Sequence, residues 1–152
     1  MWQRLGEIFL IQGEYTIAIL QRFSMMDCKS MATPMEANLK KLRESISDSD
    51  LVGPTIYMQL IGSLMYLVNT RPNICFTVIT LSQFMVEPRK AHWVAAKHVL
   101  RYLRGTVGYG FRYAPDNVVK LMGFTYSYWD GSAIDRKSTS GCCFSLGSTM
   151  IS

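Results

Sequence analysis

The stretch that decides the fold runs from Pro88 to Tyr113 and reads PRKAHWVAAKHVLRYLRGTVGYGFRY. Its first part repeats apolar residues at spacings of three and four, the period of one helix face, at Ala91, Val94, Ala95, Val99, Tyr102 and Leu103. Pro88 is typical of a helix start and Gly105 of a helix end. From Val107 onward the apolar period is two, which indicates strands. The sequence therefore predicts a helical part followed by a β part, with a boundary near Gly105.

Towards the N-terminus, the same reading predicts one short strand, Glu7 to Gln12, and further helices. The helices are expected in Gly13 to Phe23, in Thr55 to Val68 and in Asn73 to Met85, the last with Asn69 or Thr70 as its N-cap. The helix over Thr55 to Val68 is apolar almost all round, so we expect neighbours to bury it on most sides. Gly62 and Ser63 are small enough for another helix to approach closely.

Towards the C-terminus, three period-two segments are separated by the turn signals APDN and DGSAIDRKSTSG. The predicted strands lie in YGFRY (109–113), VVKLMGFTYSYW (118–129) and GCCFSLGSTMI (141–151). Helices followed by strands predict the α+β class, here a helical unit followed by a partial antiparallel sheet.

The totals are those of a globular protein. The chain has 152 residues, 49% of them hydrophobic and 18% charged, which fits one domain or two small pieces. The N-terminus lacks a signal-peptide pattern, and the longest apolar region, Ile56 to Val68, is shorter than the about 20 residues that span a bilayer. We expect an intracellular chain, in the cytoplasm or nucleus, without a membrane partner. Its four cysteines match no zinc spacing and are expected to be reduced structural thiols.

The net charge of +5 is concentrated in one segment. Residues 88–104 hold five basic residues and no acid, and the rest of the chain holds 11 basic and 11 acidic residues. The five are Arg89, Lys90, Lys97, Arg101 and Arg104. They could neutralise phosphates of a nucleic-acid backbone, or they could form a solvated helix face. Both interpretations stay open on charge alone, although surface helices ordinarily mix charges of both signs.

Side chains for catalysis or metal binding are scarce. His92 and His98 are the only histidines, and six residues on a helix separate them by about 240°, so they cannot share a metal ion. No P-loop and no nucleophile-elbow spacing occurs. The sequence predicts no metal site.

Several long segments resemble the Pol polyprotein of copia-type retrotransposons. They are Tyr57 to Val78, Leu81 to Thr106 and Asp135 to Ser148, and Gly6 to Met35 is similar to the end of that family's reverse transcriptase domain. The resemblance covers nearly the whole chain in order. It implies three segments: residues 1–35 as the reverse transcriptase tail, 55–105 as a helical thumb-connection region, and 106–152 as a truncated ribonuclease H-like sheet. The polar composition of residues 36–54 predicts a linker between the first two.

The resemblance also implies which catalytic residues this chain lacks. Ribonuclease H domains of the family cut RNA–DNA hybrids with two magnesium ions, and their first strand usually reads like TDSDWAG. Here it reads TYSYWDG, so Tyr126 and Tyr128 stand at the positions of aspartates, and Asp130 at the position of the alanine. A neutral phenol is a poor magnesium ligand. Asn73 stands where the family commonly has aspartate, and Met58 where it often has arginine.

Three functions remain as hypotheses. The first is a non-enzymatic retrotransposon remnant, without cofactor, that binds RNA or DNA backbone weakly through the five basic residues. The second is an interaction protein that pairs through apolar helices and the open edge of the strand at Gly141 to Ile151. The third is an active polymerase or nuclease, which the missing carboxylates disfavour.

Overall fold

The computed structural model describes residues 2–4, 7–36, 42, 51–113, 121–128, 139–146 and 149–150. Its contacts divide the chain into two compact units. The helical unit is formed by residues 11–110, and the sheet unit is formed by residues 1–10 together with residues 111–152.

The described part of the helical unit contains α1 (Gly13–Arg22), α2 (Pro54–Val68), α3 (Cys75–Ser82) and α4 (Lys90–Gly105). A 3₁₀ turn, Pro72–Ile74, precedes α3. Pro54 and Pro72 occupy first-turn positions, where the missing N–H costs nothing because those amides have no partner within a helix. The periodicity thus predicted α1, α2 and α4 to within a few residues.

One hydrophobic core holds the helical unit together. Its fully buried members come from all four helices and the 3₁₀ turn: Ile19, Leu20, Tyr57, Leu60, Ile61, Leu64, Leu67, Ile74, Val78, Leu81, Ala96, Val99, Leu100 and Leu103. The Tyr57 hydroxyl donates a hydrogen bond of 2.9 Å to the Leu81 carbonyl oxygen and so ties α2 to the end of α3. Burial raises the pKa of Tyr57 far above its ordinary value, so this phenol is a permanent donor.

Helix α2 is not buried on most sides, contrary to the prediction. Met58, Met65 and Tyr66 are all more than 40% exposed, and Tyr66 meets only the edge of the Tyr15 ring, at 4.9 Å between ring centroids. Nothing lies within 4 Å of the position a Gly62 Cβ would take, so in the described part of the chain no helix approaches there. Hydrophobic residues on all sides of a helix therefore did not translate into burial on all sides.

The helix predicted over Asn73 to Met85 is shorter than expected. It starts with the 3₁₀ turn, whose N-cap is Arg71 rather than Asn69 or Thr70, and Thr70 Oγ1 instead donates to Gln12 Oε1 at 2.7 Å. It ends at Ser82, after which the amides of Phe84 and Met85 bond to carbonyls three residues earlier. These bonds close tight turns and stop the helix.

The sheet unit contains two antiparallel sheets in its described residues. The first has the order β1 (Trp2–Arg4), β2 (Glu7–Leu10) and β3 (Phe111–Tyr113). Arg112 Nε of β3 donates to Glu7 Oε2 of β2 at 3.1 Å, a contact between residues 105 positions apart in the sequence. This hydrogen bond lowers the pKa of Glu7.

The second sheet has the order β4 (Leu121–Tyr128), β5 (Thr139–Leu146) and β6 (Thr149–Met150). Strands β4 and β5 pair along their full length, from Leu121 opposite Leu146 to Tyr128 opposite Thr139. The segment predicted as one strand, Gly141 to Ile151, is divided between β5 and β6, which pair with each other through Ser145 and Met150.

The two units do not share the bounds of the four predicted segments. Residues 1–10 group with residues 111–152 because β2 pairs with β3, while residues 11–35 group with the helices. The chain thus combines helices with small antiparallel sheets. The assignment of its segments to family domains and the ribonuclease H-like character of the sheet stay predictions. None of the described helices is long and apolar enough to cross a membrane.

Candidate nucleic-acid interface

Helix α4 carries the basic residues, and His92 fixes its start. The backbone N–H of Arg89 donates to His92 Nδ1 at 3.0 Å, and His92 Nε2 donates to the Leu42 carbonyl oxygen at 2.9 Å. The imidazole is 4% exposed and stacks on Phe84 at 3.9 Å between ring centroids. Burial lowers the pKa of His92, so the ring is neutral and structural.

Four of the five predicted cations lie along one line of α4. At about 100° per residue, Lys90, Lys97, Arg101 and Arg104 fall within about 60° of one another. We call these four residues the cation stripe. Val94 lies about 20° beyond the edge of this arc and is 60% exposed, so its predicted place on the apolar face is wrong. A spacing of three connects Val94 to Ala91 of the predicted apolar face and equally to Lys97 of the stripe, so the spacing did not decide on which face Val94 lies.

Arg89 does not belong to this line. It is the N-cap of α4, and its Nη2 donates to Glu87 Oε1 at 2.9 Å in an ion pair. Glu87 lies one residue before the acid-free segment, which is why the charge count of residues 88–104 missed it. The charge of Arg89 is therefore compensated locally.

An aromatic pair supports Lys97. Its Nζ lies 5.3 Å from the centroid of the Trp93 ring, a cation–π contact. Trp93 in turn meets Phe23 edge to face, with 6.3 Å between centroids. The stem of Lys97 is thus held against α4 while its ammonium stays partly exposed.

Arg101 and Arg104 bind a segment that lies more than 60 residues before them and that no sequence pattern connects with α4. Arg101 Nε donates to the Lys29 carbonyl oxygen at 2.9 Å, and Arg104 Nε donates to the Met26 carbonyl oxygen at 2.6 Å. We call residues 26–33 the strap. A Cβ at Gly105, which was predicted only as the end of the helix, would lie 3.0 Å from the Ser30 Cβ, so the glycine permits the close approach of the strap.

Further contacts bind the strap to the same helix. The Met31 N–H donates to the Arg101 carbonyl oxygen at 3.2 Å. His98 Nε2 donates to the Thr33 carbonyl oxygen at 3.0 Å, while its Nδ1 lies 3.9 Å from Glu36 Oε1. His98 is therefore a second structural histidine, and neither histidine faces a metal site in the described residues.

The charges of the cation stripe are not compensated by described acids. Among the residues that the structure describes, no carboxylate oxygen lies within 4.0 Å of Lys90, Lys97, Arg101 or Arg104. Asp27, in the strap, is exposed and makes no ion pair there. Within the described residues, the stripe is therefore a line of four cations without an ion-pair partner.

A further cation, Arg71, is buried against the side of α4 that lies opposite the cation stripe. It is 2% exposed, and its Nη1 and Nη2 donate to the carbonyl oxygen and Oγ1 of Thr106 at 2.9 and 2.6 Å. Its Nε donates to Asn73 Oδ1 at 3.4 Å, and the Asn73 amide donates to the Tyr102 hydroxyl. Burial lowers the pKa of Arg71. In the sequence, Arg71 carries no pattern that marks it as buried; it only precedes Pro72 directly.

In β4, Tyr126 and Tyr128 stand at the positions that the resemblance assigns to magnesium-binding aspartates, and the structure describes these two residues only through their backbone. Tyr126 lies opposite Gly141 and Tyr128 opposite Thr139, while Trp129 and Asp130 fall outside the described residues. Strand β4 contains no carboxylate, so its residues do not fit a magnesium site. In the described part of the chain, no three His, Cys, Asp or Glu side chains come together.

Comparison with curated proteins finds relatives that are Pol polyproteins of plant transposons. The chain is 39% identical over 145 residues to the retrovirus-related Pol polyprotein from transposon RE2 of Arabidopsis thaliana, a match that covers 95% of this chain and 10% of that protein. It is 34% identical over 151 residues to the Pol polyprotein from transposon TNT 1-94 of Nicotiana tabacum, covering 96% and 11%. The chain belongs to the Pol polyproteins of copia-type retrotransposons.

A third relative carries a mitochondrial name. An uncharacterised mitochondrial protein of Arabidopsis thaliana is 37% identical over 145 residues, a match that covers 95% of this chain and 59% of that protein. This Pol-family chain thus spans about a tenth of the transposon polyproteins and about three fifths of the mitochondrial protein. No family model matches it, and no solved structure matches it.

Proposed function

We propose that the chain is a remnant of a copia-type Pol polyprotein that has no catalytic activity and binds RNA or DNA backbone weakly, without sequence preference. The observation that carries the binding proposal is the cation stripe. Its four cations share one exposed side of α4, and the described residues offer them no acid.

The stripe has the dimensions of a short piece of nucleic-acid backbone. Lys90 and Arg104 are fourteen residues apart, about 21 Å along a helix axis. Each cation that neutralises a phosphate releases counterions, so the affinity should fall steeply with salt. With five cations the log–log slope would be roughly −3.5 to −4.5; with Arg89 paired to Glu87 it becomes roughly −2.8 for single strands and −3.6 for duplex.

A salt titration tests the binding proposal. Fluorescence anisotropy with a labelled mixed-sequence oligonucleotide should show tighter binding at low salt, and K90Q/K97Q should reduce the slope by roughly half. The matched control is E87Q/R89Q, which removes an ion pair next to Lys90 without changing the net charge and should leave the slope unchanged. If wild type does not bind at low salt, or if K90Q/K97Q matches it, the binding proposal is wrong.

The lack of catalysis rests on donor chemistry. Two-metal hydrolysis requires clustered carboxylates, and Tyr126 and Tyr128 occupy the positions that the resemblance assigns to two of them. We expect no cleavage of an RNA–DNA hybrid and no primer extension by the purified chain with magnesium or manganese. Metal-dependent cleavage that copurifies with the chain and is lost in a Tyr126→Phe, Tyr128→Phe variant would contradict the proposal.

A second candidate function is self-association, which exposed apolar side chains favour. Leu121, Met122 and Phe124 of β4 and Phe144 of β5 are each between 39% and 63% exposed, an unusual set for adjacent strands. A second copy could pair with or cover this sheet. Light scattering after size exclusion should then show a concentration-dependent dimer that Phe124→Lys removes, whereas a monomer at all concentrations would exclude it.

A further inference from the structure

We propose that Arg101 and Arg104 form a preorganised site for one phosphate group, and that the strap is the element that positions them. The inference deepens the proposed nucleic-acid binding and rests on it. It assigns the two arginines a fork-shaped contact, whereas Lys90 and Lys97 supply charge only.

The strap holds both guanidinium groups through their Nε atoms. Arg101 and Arg104 are three residues apart, so their Cβ atoms are neighbours on the helix surface, about 5–6 Å apart. Each uses its Nε–H to bind a carbonyl oxygen of the strap, at 2.9 and 2.6 Å. A guanidinium is planar, so a bond at Nε fixes the direction of the Nη atoms.

The Nη donors of both arginines remain without a partner among the described residues. A guanidinium carries five N–H donors, of which one is used in each arginine, and the described residues provide no partner for the Nη atoms of either. Arg104 is exposed and Arg101 is partly exposed, so both Nη groups can meet a solute. A tetrahedral phosphate offers several acceptor oxygens, the ligand that paired guanidinium forks bind best.

The strap is itself fixed by hydrogen bonds to α1 and α4. Met25, just before it, is 9% exposed, and its N–H donates to the Leu20 carbonyl oxygen at 2.7 Å. The Met31 N–H binds the Arg101 carbonyl oxygen, and the Thr33 carbonyl oxygen accepts from His98. Because the strap is attached before, within and near the end of its length, the acceptors for Arg101 and Arg104 cannot move freely.

A plain structural role predicts something different. If the arginines only fasten the strap, their replacement lowers stability but affects binding no more than the loss of any two charges.

Asp27 lies within the strap, between the Met26 and Lys29 carbonyl groups that accept from the two arginines, and its negative charge would oppose an incoming phosphate. Asp27→Asn should therefore increase oligonucleotide affinity, by about threefold if it removes one screened repulsion.

The test compares three double variants for binding to a labelled single-stranded oligonucleotide. R101K/R104K keeps both charges but loses the forks and the Nε–H donors, R101Q/R104Q loses the charges, and K90Q/K97Q removes two charges elsewhere on the stripe. We expect R101K/R104K to weaken binding by about tenfold with an unchanged salt slope, because lysine cannot form the bidentate contact. K90Q/K97Q should instead reduce the slope.

The stability of each variant is measured on the same samples. Binding is then measured at a temperature below the melting transition of each variant. If R101K/R104K does not fold, the single variant Arg104→Lys replaces it, since Arg104 has one described anchor and an exposed side chain. An affinity equal to wild type in the folded lysine variant overturns the inference even if K90Q/K97Q supports nucleic-acid binding. Failure of wild type to bind at low salt overturns both proposals.

Inorganic phosphate distinguishes the source of the group. Thermal stabilisation of wild type by phosphate, relative to chloride at matched ionic strength, and its loss in R101K/R104K, would identify a site that also takes free phosphate. Oligonucleotide binding that depends on the forks without such stabilisation would identify a site for backbone phosphate. Both results support the fork, and no dependence on the forks in either assay rejects it.

Discussion

At Arg71, a guanidinium that is 2% exposed meets only neutral partners among the described residues, chiefly Thr106 and Asn73. Buried charges are ordinarily paired, because an isolated one loses its hydration without compensation. The resemblance places aspartate at position 73 in many copia-type proteins. The structure gives that preference a physical reason, since a carboxylate there would face both Arg71 Nε and the Tyr102 hydroxyl.

Asn73→Asp should therefore stabilise the chain. A charged acceptor for Arg71 strengthens the hydrogen bond, and we expect a gain of about 1 kcal/mol in unfolding free energy, given that Asn73 is exposed. Denaturant unfolding at neutral pH measures it. The new carboxyl has a lowered pKa in the folded state, so the gain is present above its unfolded pKa of about 3.9 and is lost as the pH falls through the folded pKa. A loss of stability at neutral pH would contradict this account.

His92 gives a second prediction at the same scale. Its pKa is lowered by burial in the folded state, so the unfolded chain binds the proton more readily. The contribution of neutral His92 to the free energy of unfolding is fully present above the unfolded pKa of about 6.5. It declines as the pH falls below that value. Thermal unfolding between about pH 8 and pH 5 should show this decline, and His92→Gln, although less stable, should show a weaker one. An equal pH dependence in both proteins would rule the account out.

Among the elements, α2 and α4 were readable from sequence because their periodic apolar residues decide both type and extent. The strap was not, since its bonds to α4 join residues more than 60 positions apart and no periodic pattern marks them. Val94 was assigned to the wrong face because it lies three residues from both Ala91, on the predicted apolar face, and Lys97, on the cation stripe. The cation stripe was found from charge alone, while the compensation of Arg89 by Glu87 required the structure.

Two helical glycines provide a matched test of the strap. Gly62→Ala in α2 meets nothing within 4 Å and should stabilise the chain by about 0.5–1 kcal/mol, the ordinary advantage of alanine in a helix. Gly105→Ala at the end of α4 would place a methyl group 3.0 Å from the Ser30 Cβ, so the strap must shift and stability should fall. Chemical denaturation of both variants checks the signs. Stabilisation by Gly105→Ala would mean that the strap does not pack as described.

At the scale of the whole molecule, the hydrophobic core is unevenly divided. Every residue of the described core cluster, buried or packed against it, lies between residues 15 and 107 and so within the helical unit. In the sheet unit, several described apolar side chains of β4 and β5 remain exposed. The helical unit therefore has its own basis for stability.

We accordingly expect residues 11–110 to fold alone. The fragment should show helical circular dichroism, a cooperative thermal transition and the oligonucleotide affinity of the full chain, because the cation stripe and the strap lie within it. The variant Leu64→Ala, which opens a cavity in the core, serves as the control and should reduce the stability of fragment and full chain alike by about 2–5 kcal/mol. A fragment without a cooperative transition would show that the sheet unit is needed.

The contact of Lys97 with Trp93 gives the fragment a built-in optical signal. Trp93 is the single tryptophan between residues 11 and 110, and its indole contacts both the Lys97 ammonium group and the Phe23 ring. A polyanion that draws the ammonium away from the ring changes the electric field at the indole. Emission from this one residue should then report occupancy without any attached dye.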